Sequence, residues 1–193
     1  LNTIMSLFKT DFFSSFESAF DVTESTVYET PIENGAMDNR IALVSVEGTI
    51  LDVGSGSLWE EVQYDHQGFM AQLDSILNDD TVKGVVLEVN SPGGGVIESA
   101  EIHEKLVQIK EQREIPIYVS MGTYAASGGY YIAAPADKIF AQKETITGSI
   151  GVIMQAINYE ELAEKVGIKF ETIKSGQHKD MLGGSRASTE EEK

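Results

Sequence analysis

The chain has 193 residues, enough for about one domain, and 41% of them are hydrophobic, enough for a buried core. It contains no cysteine, which excludes thiol nucleophiles, disulfides and thiolate-ligated zinc. Its 31 acidic residues outweigh 14 basic ones, for a formal net charge of −17, and no Lys/Arg cluster exists to displace the counterions of a nucleic acid.

In chain order, residues 1–39 read as a segment apart. "SLFKTDFFSSFESAF" has spacings that suit a short amphipathic helix, and "DVTESTVYETPIENGAMDN" reads as a linker. The globular pattern starts at Arg40, so the division expected is a 1–39 linker and a 40–193 domain. "IALVSVEGTI" is β-rich up to Gly48. "HQGFMAQLDSILNDD" places Phe69, Leu73, Ile76 and Leu77 at helical spacing. "VKGVVLEVN" (82–90) is nearly continuous in apolar residues and predicts a central strand buried on both faces. After "SPGGG", the stretch "VIESAEIHEKLVQIKEQR" carries Ile102, Leu106 and Ile109 on one helical stripe.

"IPIYVSM" predicts a strand over 115–121, "GGYYIAAPA" a helix stopped near Pro135, and "DKIFAQ" a strand over 137–142. "TGSIGVIM" reads as a turn and a strand, "NYEELAEKVG" as a helix closed by Gly167, and "IKFETIKS" as a strand. The closing "ASTEEEK" has the N-cap and first-turn acids of a helix start. No stretch approaches the length of a membrane span. The chain lacks an initiator Met and ends inside that helix start. Both ends are therefore expected to be cut, with a signal sequence or anchor preceding Leu1. Alternation of strand and helix gives the α/β class.

Two corners carry candidate chemistry. A hydrophobic strand runs into Ser91-Pro92-Gly93-Gly94-Gly95 and then a helix, so close-approaching backbone N–H groups could hold a phosphate or an oxyanion. It lacks the Gly-Lys-Ser/Thr of a Walker loop and the G-x-G-x-x-G of a dinucleotide fingerprint. The second corner, Ala125 to Gly129, sets small residues around Ser127. It is either tight packing or a turn that exposes a nucleophile, with Gly94 and Gly128 as N–H donors beside the same hydroxyl. A serine needs a base. His66, in a polar loop, and His103, on a charged helix face, read as surface residues; His178 in "SGQHKDM" is harder to dismiss. A neutral lysine also serves, and the residues leave Lys179, Lys174 and Lys169 open. Asp180 would oppose Lys179 as a base if their side chains met.

"VNSPGGGVIESAEIH", "VSMGTYAASGGYYIAAPADKIFA", "TGSIGVIM" and "FETIKSGQHKDM" together resemble the signal peptide peptidases of serine peptidase family S49, in the family's own order. The likeness is to short, single-repeat bacterial members. It implies a crotonase/Clp-like α/β fold of repeated ββα units, truncated here at its C-terminal part. It implies a Ser/Lys dyad with Ser127 as nucleophile and Lys179 as general base, Ser149 orienting the lysine amine, and the N–H groups of Gly94 and Gly128 as the oxyanion hole. No cofactor or metal is implied. Remnant signal peptides or other apolar peptides would be the substrates. The setting would be the cell membrane, with the catalytic domain extracytoplasmic and the anchor missing from this chain. Copies would associate into a ring, with serine and lysine from adjacent subunits.

Other readings differ in testable ways. A Clp-type peptidase should show a histidine soon after the serine, and "TGSIGVIMQAIN" has none. A crotonase-type acyl-CoA enzyme needs no serine nucleophile and prefers basic residues. A catalytically silent membrane scaffold would have lost the serine or the lysine.

Overall fold

A computed structural model describes residues 27–33, 35–52 and 64–192. The amphipathic helix expected within residues 6–20 lies outside them. The chain divides into two compact units, the first ending at Ile150 and the second running from Gly151.

The first unit alternates strand and helix: β1 (Arg40–Glu47), α1 (His66–Asn78), β2 (Val82–Ser91), α2 (Val96–Arg113), β3 (Ile117–Ala126), α3 (Gly128–Ala133), β4 (Lys138–Phe140) and β5 (Ile146–Gly148). Every strand pairing is parallel, in the order β1-β2-β3-β4, with β5 also on β3. This is the α/β class that the alternation predicts.

Period-two patterning sets the core. The register stacks Val44 on Leu87 and Leu87 on Val119, then Val46 on Val89 and Val89 on Met121. All of these are buried, in one cluster with Phe69, Leu73 and Ile76 of α1, Ile102, Leu106 and Ile109 of α2, and Ile132 of α3. Full burial of each such side chain stabilises the fold by about 1.5–3 kcal/mol. The opposite row, Leu43, Val86 and Tyr118, is exposed or half-buried, and Glu88 beside it is exposed. Strand β2 is therefore not buried on both faces, as its apolar run suggested. Among the described residues the helices cover one face only.

Side chains close the helix ends. Asp65 caps α1 by accepting the Gly68 N–H (3.1 Å). Arg113, at the end of α2, donates to the carbonyls of Ile76 (2.8 Å), Leu77 (3.2 Å) and Asp79 (2.7 Å) where α1 ends; the Ile76 and Asp79 carbonyls also accept the N–H groups of Asp79 (3.4 Å) and Val82 (3.2 Å). Arg40 is held by Asp79, Glu29 and Thr81 where β1 begins.

The second unit has one short helix, α4 (Glu160–Lys165). Gly167, at φ 78°, ends it as expected, and the Ile168 N–H closes on the Ala163 carbonyl (2.9 Å). The strand expected within "TGSIGVIM" does not form beyond Gly148, and the one expected in "IKFETIKS" (168–175) does not form. Alternating apolar residues give a segment a face, but among the described residues no neighbouring strand completes a ladder. The helix start read in "ASTEEEK" is a turn in which the Glu192 carboxylate accepts the Thr189 N–H (2.8 Å), half of a capping box.

Candidate active site

The corner after β3 is built by backbone pairing. Strand β3 carries an irregularity between its Val89↔Met121 and Ser91↔Ala125 pairings. The Asn90 side-chain oxygen fills it by accepting the Tyr124 N–H (3.1 Å). Here β3 also changes partners, pairing with β4 over 118–120 and with β5 over 124–126. The strand thus runs five residues beyond the Met121 end that the sequence predicts.

Ser127 follows at once with φ 53° and ψ −121°, a conformation that costs a non-glycine residue about 1–3 kcal/mol. Its N–H donates to the Gly148 carbonyl (2.8 Å), and its carbonyl accepts the Tyr131 N–H (2.9 Å). The strained residue is thereby pinned between a strand end and a helix start, half-exposed.

The small residues around it have steric causes. A Cβ on Gly128 would lie 2.3 Å from Ser99 Oγ, and one on Gly129 would lie 2.7 Å from the Ser91 carbonyl oxygen. Ala125 is fully buried. Tight packing against α2 and β2 therefore accounts for the small residues, and it is what turns the chain here.

The glycine loop lies against the same serine. Gly93 has φ 97°, and a Cβ there would sit 2.7 Å from the Gly128 nitrogen and 2.8 Å from Ser127 Cβ. Ile50 splints the loop: its N–H donates to the Gly93 carbonyl (3.0 Å), and its carbonyl accepts the Gly95 N–H (2.7 Å). In this parallel bridge the N–H of the intervening Gly94 points away from Ile50. Among the described residues neither the Gly94 nor the Gly128 N–H has an acceptor. Ser149 follows Gly148 directly, is exposed, and has φ 53°. The first unit thus brings Ser127, Gly94, Gly128 and Ser149 into one neighbourhood.

Lys179 belongs to the second unit. It is exposed, and among the described residues its amine has no ion-pair or hydrogen-bond partner. Asp180 does not meet it. Asp180 Oδ1 accepts from Lys174 Nζ (2.6 Å) and Arg186 Nη2 (2.6 Å), and Oδ2 accepts from Arg186 Nε (3.0 Å). These contacts, Arg186 first, hold the Asp180 carboxyl well below the usual carboxylate range. The sequence reading missed Arg186, which stands just before the closing "ASTEEEK", and took Glu192 only as a first-turn acid.

The histidines differ from expectation. His66 is not at the surface: it is buried, with Nδ1 2.8 Å from the Tyr64 hydroxyl and Nε2 2.7 Å from a Glu101 oxygen. Burial pushes the Tyr64 phenol well above its ordinary range. His103 is half-buried and stacks on Tyr131, with ring centroids 4.4 Å apart. His178 Nδ1 lies 3.3 Å from Glu192.

Residues 109–193 match the sequence pattern described as "Peptidase family S49". The chain is 49% identical over 177 residues to the Enterococcus faecium protein named "Putative signal peptide peptidase SppA", across 92% of this chain and 50% of that protein. It is 39% identical to "Protease 4" of Haemophilus influenzae, covering 71% of this chain and 22% of the relative. It is 32% identical to "Serine protease SPPA, chloroplastic" of Arabidopsis thaliana, covering 72% and 19%. The chain spans half the length, or less, of each of these relatives.

Proposed function

We propose how this chain, which belongs to peptidase family S49, carries out its chemistry: it supplies the catalytic parts of a serine endopeptidase with a Ser/Lys dyad. The observation that carries this reading is the strained Ser127, with the unpaired N–H groups of Gly128, next in the chain, and of Gly94, in the glycine loop packed against it. Strain of this kind persists only where the surrounding structure over-determines it, and it clusters at reacting groups. No other hydroxyl among the described residues stands at such a strand-to-helix corner.

In the proposed reaction the neutral amine of Lys179 takes the Ser127 proton, and Oγ attacks the peptide carbonyl. The Gly94 and Gly128 N–H groups hold the oxyanion, each worth about 2.7–4 kcal/mol of barrier. The lysine then gives its proton to the leaving amine, and water releases the acyl group from Oγ. Ser149 orients the lysine amine, as the third member of a triad orients its base. Engagement of Asp180 by Arg186 and Lys174 supports Lys179 in this role, because it removes the nearest carboxylate in sequence.

The substrates proposed are remnant signal peptides or other apolar peptides at the membrane, supported by the name of the Enterococcus relative. The peptidase domain is taken as residues 40–193, joined through 1–39 to a membrane anchor, with the domain outside the cytoplasm. Copies are proposed to form a ring in which a neighbour can supply Lys179. Among the described residues no helix is long and apolar enough to cross a membrane.

The test is cleavage of a fluorogenic apolar peptide by the full-length protein. Ser127→Ala and Lys179→Ala are each expected to lower kcat about 10⁴-fold or more, and the pair together little further. Activity should rise with pH, because a general base works only in its unprotonated form. Full activity in Ser127→Ala would end the proposal.

A further inference from the structure

The second unit holds a charge network that no step above uses. Arg186 is its centre. Its Nε and Nη2 donate to Asp180, and its Nη1 donates to Glu192 Oε2 (2.8 Å). Glu192 is almost wholly buried at its side chain, 1% exposed, and it also accepts the Thr189 N–H. Lys174 completes the turn, donating from one amine to the Gln177 carbonyl (2.7 Å) and to Asp180 (2.6 Å).

Lys179 stands between two members of this network. His178 on one side reaches Glu192, and Asp180 on the other is doubly held. The residues flanking the proposed base are tied down while its own amine is left unpaired. The backbone closes the same turn through Lys179 N–H to the Gly176 carbonyl (3.3 Å) and Met181 N–H to the His178 carbonyl (3.1 Å).

We propose that Arg186 is a positioning residue for Lys179: by clamping Asp180 and Glu192 it fixes the 176–182 turn and keeps the Asp180 carboxylate off the Lys179 amine. This rests on the reading of Lys179 as the base. The physical reason is direct. A lysine works as a base only when neutral, and a carboxylate at contact distance favours its protonated form. Asp180 adjoins Lys179 in sequence, so something must occupy its oxygens. Arg186 does so with a planar fork that spans both oxygens, a geometry lysine lacks. The charged or titratable groups facing Asp180 are Lys174 and Arg186, and those facing Glu192 are Arg186 and His178. From α4, Glu160 reaches this segment by accepting the Ala187 N–H (2.9 Å).

The test follows kcat/KM of the full-length protein on the fluorogenic peptide from about pH 6 to 11. Arg186→Met is expected to move the rising limb of the profile up by about one pH unit, with about a tenfold loss at neutral pH. The double variant Arg186→Met/Asp180→Asn should return the limb to its wild-type position. A structural role alone would lower kcat/KM equally at every pH, unrescued by asparagine at 180, and that result overturns the proposal. If Arg186→Met does not fold, Lys174→Met frees Asp180 from its other side and should give a smaller upward shift that Asp180→Asn cancels. No shift there overturns the proposal equally. Lys179→Ala separates the two readings. Wild-type activity in it would remove the dyad itself; an inactive Lys179→Ala beside an unshifted Arg186→Met would remove only the role of Arg186.

Discussion

Ser127 and Lys179 sit in surroundings made by different physics. Around Ser127 the chain is held by main-chain hydrogen bonds and by the absence of side chains: β5 accepts its N–H, and glycines occupy positions where a methyl group would strike backbone atoms. Around Lys179 there is almost no regular secondary structure, and the turn is held by side-chain charges, with Arg186 bridging two carboxylates. The proposed nucleophile would need placement that does not relax, which a sheet and a strained corner supply. The proposed base would need its electrostatic neighbours controlled, which a charge network does at little cost in ordered core.

The strongest way to break the first half of this contrast is Gly93→Ala. Its Cβ would meet the Gly128 nitrogen and Ser127 Cβ from a positive φ. Displacing one oxyanion donor should lower kcat about 10²–10³-fold with little change in KM. Wild-type kcat in this variant would show that the loop tolerates displacement. Next in size is Arg113→Ala, which removes a charged donor from three carbonyls at the end of α1 and leaves the Leu77 carbonyl without a partner among the described residues. It should destabilise the first unit by about 2 kcal/mol, read from denaturant unfolding, while kcat of the folded protein stays near wild type. A large loss of kcat would mean that the core and the corner are coupled.

The smallest effect concerns acid. Asp180 and Glu192 are both held below the usual carboxylate range, chiefly by Arg186. Groups with depressed folded values contribute stability that is full above the unfolded carboxylate range, about pH 4, and is lost as pH falls through the folded values. The Thr189 amide proton, bonded to Glu192, should therefore hold its NMR position down to about pH 4 and move only below it. Movement between about pH 5 and 7 would contradict the network.

Most of the first unit was legible because its strands and helices follow the periods of two and 3.6. Ile102, Leu106 and Ile109 lie buried on one stripe of α2, and Gly48 ends β1 as its position suggests. The corner at Ser127 was legible because only small residues permit it. Three things were not. The extension of β3 depends on Asn90 filling an irregularity from the neighbouring strand, a long-range contact that leaves no local pattern. The burial of His66 depends on Tyr64 and Glu101, the latter 35 positions away. The fate of Asp180 was decided by Arg186 and Lys174, and charge alone does not say which of several cations a carboxylate will choose.

The change of partner along β3 has a consequence for how variable this architecture can be. Since β4 pairs only with residues 118–120 and β5 fixes 124–126, the exposed turn around Lys143 and Glu144 joins two independently anchored pieces. Segments could be lengthened or exchanged there without disturbing the register that sets Ser127. That turn is a natural place to insert a reporter peptide.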